Sequence, residues 1–142
     1  MNFKKYETFT KEVARILKIN VPKLSKDTSV FATDTQIACA DIVKNIIYVN
    51  SNADERDILF AISHEARHLW QAKHNLDVSS HKKNGQVSFD DYNTQPEEID
   101  ANAFGVLVMN QFGLNPMFDG LGENVKKLIY SRAEEIADKH IF

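Results

Sequence analysis

The sequence predicts an α+β fold, and three observations predict it. Apolar residues recur at helical spacing in four separate stretches, one stretch between Gln36 and Asn50 is rich in Ile, Val, Tyr and Cys, and turn-forming residues divide that stretch into two short strands. At 142 residues the chain suits a single domain spanning 1–142. A domain of that size buries roughly two-thirds of the surface its unfolded form exposes, so it needs no disulfide or other staple to fold.

Phe3, Tyr6, Phe9, Val13, Ile16 and Leu17 fall on one helical face, which predicts an amphipathic helix near residues 3 to 18 that ends before Val21-Pro22. Within the Gln36 to Asn50 stretch, Asp41 and Lys44-Asn45 supply turn chemistry between the two strands. This is the one clear sheet signal, so the sheet is expected to be short and mostly antiparallel. Asn52 can cap a helix whose first turn carries Asp54, Glu55 and Asp57, acids that suit the positive end of a helix dipole, and that helix should run to about His74. Weak alternation through Val87 and Phe89 suggests that 75–93 is a loop or ribbon with one short strand. Thr94-Gln95-Pro96-Glu97 has the spacing of a capping box, followed by a largely apolar helix that ends at Gly113. A last helix, near Glu123 to His140, places Val125, Leu128, Ile129, Ala133 and Ile136 on one side. No repeat, low-complexity tract or linker divides the chain.

Composition excludes several classes. With 43% hydrophobic and 26% charged residues the chain is neither disordered nor fibrous. Its formal net charge of −3 leaves no basic excess to neutralise a phosphate backbone, so nucleic acid is not an expected partner. Cys39 is the single cysteine, and its setting in Ile37-Ala38-Cys39-Ala40 suits a buried, packing thiol. The N-terminus lacks the apolar stretch of a secretory signal, and the longest apolar runs are far shorter than a membrane span. A cytoplasmic protein with no membrane association is expected.

The chemistry is concentrated in His64-Glu65-Ala66-Arg67-His68. Histidines four apart on a helix share a face one turn from each other, so His64 and His68 can each direct an imidazole nitrogen at one metal ion. Glu65 is rotated about 100° from His64, beside the metal, where it can serve as a general base. From this chain's own His and Glu frequencies, a random match to the five-residue pattern arises on the order of one time in a hundred. Context sharpens the signal, because Ile58, Leu59, Ile62, Ala66, Leu69 and Trp70 occupy the side of the helix away from the histidines. Two surface histidines on an ordinary helix are the plainer alternative.

A catalytic zinc has three protein ligands and an open position, so a third ligand must come from elsewhere. Glu98 shares its face with Ala101, Asn102 and Gly105, whose short side chains would let that helix approach the motif helix closely. Glu97 is better employed in the cap. Asp100 projects about 200° from Glu98, so it could ligate only from a rotated or irregular helix. Its expected role is to steady a neighbouring group, such as a ligand histidine, through a hydrogen bond. Arg67 and Gln71 lie near the line of His64 and His68, at the rim of a cleft, with a solvated Arg as the plain reading. His74, His81 and Tyr92 are candidates for a substrate or oxyanion donor, although each is more simply a surface or packing residue.

The pairing of this motif with Glu98-Ile99-Asp100-Ala101-Asn102-Ala103-Phe104-Gly105 resembles the ImmA/IrrE-type metallopeptidases over roughly residues 45 to 110. The second motif of that family resembles E-x-E-A-N-x-F-A. The resemblance implies a zincin-like scaffold, with the active-site helix packed on the short sheet and helices around it. It also implies one zinc per chain held by His64, His68 and Glu98, with Glu65 as the catalytic glutamate and Asp100 in place of an acidic partner. Members of the family occur on phages and mobile elements, where some cleave a repressor. Arg67, where such motifs usually carry an uncharged residue, and Gly105, where alanine is usual, depart from the pattern.

The function expected is zinc-dependent hydrolysis of a peptide bond, with Glu65 deprotonating the water and then protonating the leaving amine. The substrate would be a protein or peptide, with a transcriptional repressor as the family's suggestion. An extended peptide could lie along the edge of the sheet. Two alternatives share these residues: a zinc-binding regulatory or interaction module without significant turnover, and a hydrolase of other amides.

Overall fold

The computed structural model describes residues 3–74, 89–115 and 121–140. It is α+β. Helix α1 (Phe3–Leu17) leads through strand β1 (Lys23–Ser25) and a short 3-10 turn (Thr28–Val30) to β2 (Ala38–Asp41) and β3 (Ile46–Val49). Four helices follow, α2 (Glu55–Lys73), the short α3 (Phe89–Asn93), α4 (Pro96–Gln111) and α5 (Glu123–Ala137).

The β2–β3 hairpin forms where the turn residues predict it, with Asn45 at φ 56° and the Lys44 amide donating to Asp41 Oδ1. An Asn tolerates that left-handed backbone better than most side chains. The sheet gains a third strand that sequence patterning did not mark. β1 pairs parallel to β3, so the order is β1-β3-β2 and the sheet is mixed. Only Leu24 of β1 is buried, and a three-residue strand offers too little alternation to detect.

Both predicted side-chain caps are absent. The α2 N-cap is Asp54, not Asn52, and the Asn52 amide instead donates to Asn50 Oδ1. At α4 the N-cap is Gln95, Pro96 takes the first helical turn, and Thr94 Oγ1 donates back to the Asp91 carbonyl, so no Thr94–Glu97 box forms. A proline in the first turn has a preset φ and no amide that needs a cap. Phe89 opens α3 instead of lying in a strand, and 75–88, with Val87 and His81, falls outside the described residues. On α5, Val125, Ile129, Ala133 and Ile136 are buried as expected, but Leu128 is exposed. Cys39 is only half-buried on β2.

α2 is the centre of the packing. It meets α1, α4, β2 and β3, and α5 covers α4. Ile58, Ile62, Ile47, Val49 and Phe104 are fully buried within this core. α4 is enclosed around most of its circumference, which accounts for its largely apolar sequence.

The close approach of α4 to α2 depends on Gly105, because a Cβ there would lie 2.7 Å from Cε2 of Phe60. Gly105→Ala therefore sets an overpacking cost of about 1–3 kcal/mol against a helix-propensity gain of about 1 kcal/mol. The variant should lose about 1 kcal/mol in denaturant titration. In a Phe60→Ala background the sign should reverse, since only the propensity gain remains. The same loss in both backgrounds would show that Phe60 does not set the approach.

Candidate metal centre

α2 carries His64 and His68 one turn apart, and their Nε2 atoms lie 3.1 Å from each other. α4 brings Glu98 against both, with Oε1 3.0 Å from His64 Nε2 and Oε2 3.0 Å from His68 Nε2. Glu98 is buried, and the small Ala101 and Gly105 are buried on the same helix. Glu65 stands slightly apart, its Oε2 3.9 Å from His64 Nε2. His64, Glu65 and His68 offer ligand atoms within 4.8 Å of one another, the spacing of a metal-binding group. Glu98 is nearer to the two histidines than Glu65 is, so by distance it could serve as a third ligand.

The donor set fits a metal ion. His64 Nδ1 lies 2.7 Å from Asn102 Oδ1, and His68 Nδ1 lies 2.8 Å from Gln71 Oε1. With both Nδ1 atoms facing oxygen acceptors, the ring protons belong on Nδ1 and the Nε2 lone pairs face each other and a carboxylate. Acceptors converging in this way require a positive charge between them. Ligands about 2.0–2.1 Å from a tetrahedral zinc sit roughly 3.3 Å apart, close to the spacing observed here.

The electrostatics show the same demand for positive charge at this point. Burial alone would raise the Glu98 carboxyl, but hydrogen bonds and charge from His64 and His68 outweigh it and hold Glu98 well below the usual carboxylate range. Burial would lower His68, yet its hydrogen bond to Glu98 and the charges of Glu65 and Glu98 push it up to about 9. Glu65 moves the other way: burial raises it, and nearby Glu98 adds to the shift, against the histidines and a hydrogen bond from the Ala40 backbone. The Tyr92 hydroxyl is hydrogen-bonded to Glu98, and burial first, then the Glu98 and Glu65 charges, raises its pKa.

Arg67 corrects the expectation of a solvated rim residue. It is 1% exposed. Its Nε donates to Asp100 Oδ2 at 2.7 Å and its Nη2 to Asp100 Oδ1 at 3.0 Å. The guanidinium stacks 3.6 Å from the Trp70 ring centroid, and Nη1 reaches His140 Nε2 at 3.1 Å. Asp100 also accepts from Arg132 Nε at 2.8 Å and Gln71 Nε2 at 2.9 Å. Asp100 therefore stands one side chain removed from His68, with Gln71 between them. Gln71 is buried as well, not on a rim. His74 stacks on Trp70, its ring centroid 4.3 Å away, and hydrogen-bonds the Trp70 carbonyl.

Sequence reasoning placed Gln71 at the rim and Asn102 on the face of Glu98, but it marked neither as a histidine partner. The shared helical line of Gln71 with His64 and His68, and the shared face of Asn102 with Glu98, were the signals for that role.

An α+β domain in which an HExxH helix meets a glutamate from a second buried helix has the architecture of a metallopeptidase-type protein. The model of the peptidase M78 family, described as the IrrE N-terminal-like domain, matches residues 14–132, and the chain belongs to this family. Neither a curated protein nor a solved structure matches the chain significantly. Among the described residues no helix is long and apolar enough to cross a membrane.

Proposed function

We propose that the whole chain acts as one zinc metallopeptidase domain in the cytoplasm, in which His64, His68 and Glu98 hold one zinc and Glu65 is the general base. The observation that carries this reading is the meeting of both Nε2 atoms with the Glu98 carboxylate, with Glu65 beside them. When bound, the metal supplies Lewis acidity, lowering the pKa of a water to about 7 and polarising a carbonyl. Glu65 takes the proton from the attacking water on a carboxylate oxygen and delivers it to the leaving nitrogen. The Ala40 backbone, which donates to Glu65, keeps that carboxylate beside β2.

β2 lies at an edge of the sheet. An extended substrate added along that edge would gain main-chain hydrogen bonds and pass close to Glu65. The substrate class we infer is therefore a protein or peptide in extended form, with a transcriptional repressor as the candidate that the family resemblance suggests. Purified protein should contain, or take up, one zinc per chain by elemental analysis. The zinc-loaded form should generate new N-termini in a peptide library read by mass spectrometry, and chelation should abolish them. Zinc that remains substoichiometric after added metal would overturn the site. A fully loaded protein that cuts nothing, including repressors encoded nearby and co-expressed with it, would favour the regulatory-module reading.

A further inference from the structure

To ligate through Nε2, a neutral imidazole must carry its proton on Nδ1. A neighbour that can only accept at Nδ1 enforces that arrangement. A neighbour that can also donate does not. His68 Nδ1 faces the carboxamide of Gln71, a group that could present either oxygen or NH2 to the ring.

The other end of Gln71 removes the ambiguity. Its Nε2 lies 2.9 Å from the Glu97 carbonyl oxygen and 2.9 Å from Asp100 Oδ2, and both of these only accept. Turning the amide over would aim an oxygen at two acceptors, one of them charged, and would lose both hydrogen bonds. Asp100 is itself held: Arg67 donates to both of its oxygens and Arg132 to Oδ1. Gln71 is 2% exposed and Asp100 6%, so water is poorly placed to replace a lost partner. The corresponding latch at His64 is weaker, since Asn102 Nδ2 meets Asn93 Oδ1 at 3.5 Å.

We propose that Gln71 is a positioning residue for the metal centre: latched by the Glu97 carbonyl and by Asp100, its carboxamide fixes the His68 proton on Nδ1 and keeps Nε2 directed at the metal. The inference rests on the reading of His64, His68 and Glu98 as ligands. It gives the buried Arg67–Asp100 pair a task at the site, because that pair holds the acceptor against which Gln71 is set.

The test uses zinc as the probe. In the zinc-loaded wild type, imidazole nitrogen NMR should show His68 protonated at Nδ1 and coordinated through Nε2. Gln71→Met should lower zinc affinity by about 10–100-fold, the range for losing a partner of a ligand histidine. It should also remove the slowly exchanging His68 Nδ1–H signal while leaving that of His64. Ile129→Ala, a core truncation on α5 outside this hydrogen-bonded chain, should lower thermal stability yet leave zinc affinity within about threefold. Three results would overturn the proposal: coordination of wild-type His68 through Nδ1, unchanged affinity in Gln71→Met, or an equal affinity loss in Ile129→Ala. A wild type that takes up no zinc would instead overturn the ligand reading beneath it, so the two failures are distinguishable.

Discussion

Replacing Glu65 with Gln should leave one zinc per chain in place and slow peptide-bond hydrolysis by roughly a hundredfold or more, the range for a lost general base. The substitution is isosteric, and the carboxamide oxygen can still accept the hydrogen bond from the Ala40 backbone that holds Glu65 beside β2. What it removes is the capacity to take up and release a proton. Zinc should survive because Glu65 Oε2 stands 3.9 Å from the nearer histidine nitrogen, while Glu98 reaches both histidines at 3.0 Å. Elemental analysis and turnover measured on one preparation separate the two effects. Equal zinc with equal cleavage would refute the proton-transfer role, and loss of zinc would mean that Glu65 is itself a ligand.

Glu98→Ala should weaken zinc binding by more than the roughly hundredfold upper range for losing an outer partner, because it removes a ligand. Glu97→Ala should change affinity little. The Glu97 contact shown at the site is a backbone carbonyl accepting from Gln71, which alanine retains. Asp100→Ala should act chiefly on stability. It leaves the buried guanidinium of Arg67 without its carboxylate, a change that typically costs about 3–5 kcal/mol. Some zinc affinity should also be lost through Gln71. Competitive zinc titration beside chemical denaturation of the three variants decides the assignment, and a larger affinity loss for Asp100→Ala than for Glu98→Ala would overturn it.

The buried Arg67 explains a departure from the usual metallopeptidase pattern. A charge inside the HExxH motif would be costly if it were enclosed alone, but here two Asp100 oxygens, the Trp70 face and His140 surround it. Gly105, the second departure, gives room to Phe60 where an alanine methyl would collide. Both substitutions read as local packing solutions.

The sequence by itself determined what depends on neighbours along one element. His64 and His68 share a face because 3.6 residues make a turn, and Glu65 stands beside them for the same reason. The α1 face, the hairpin turn at Asn45 and the end of α4 at Gly113 were legible from equally local rules. The family could be recognised because two such local motifs occur in one chain. Tertiary structure decided what depends on how α4 lies against α2. Glu98 reaches both histidines, Gln71 turns toward Asp100, and Arg67 is buried instead of solvated, since the packing around Gly105 and Phe60 sets the helix approach. Neither helix carries that rotation in its own pattern, because a buried polar side chain looks like a surface one until its partner is placed 2.7 Å away. β1 and the missing caps have the same cause: β1 is too short to show a period without β3 beside it, and the chain entering α4 follows Pro96 and the packing around it, against the side-chain preference of Thr94.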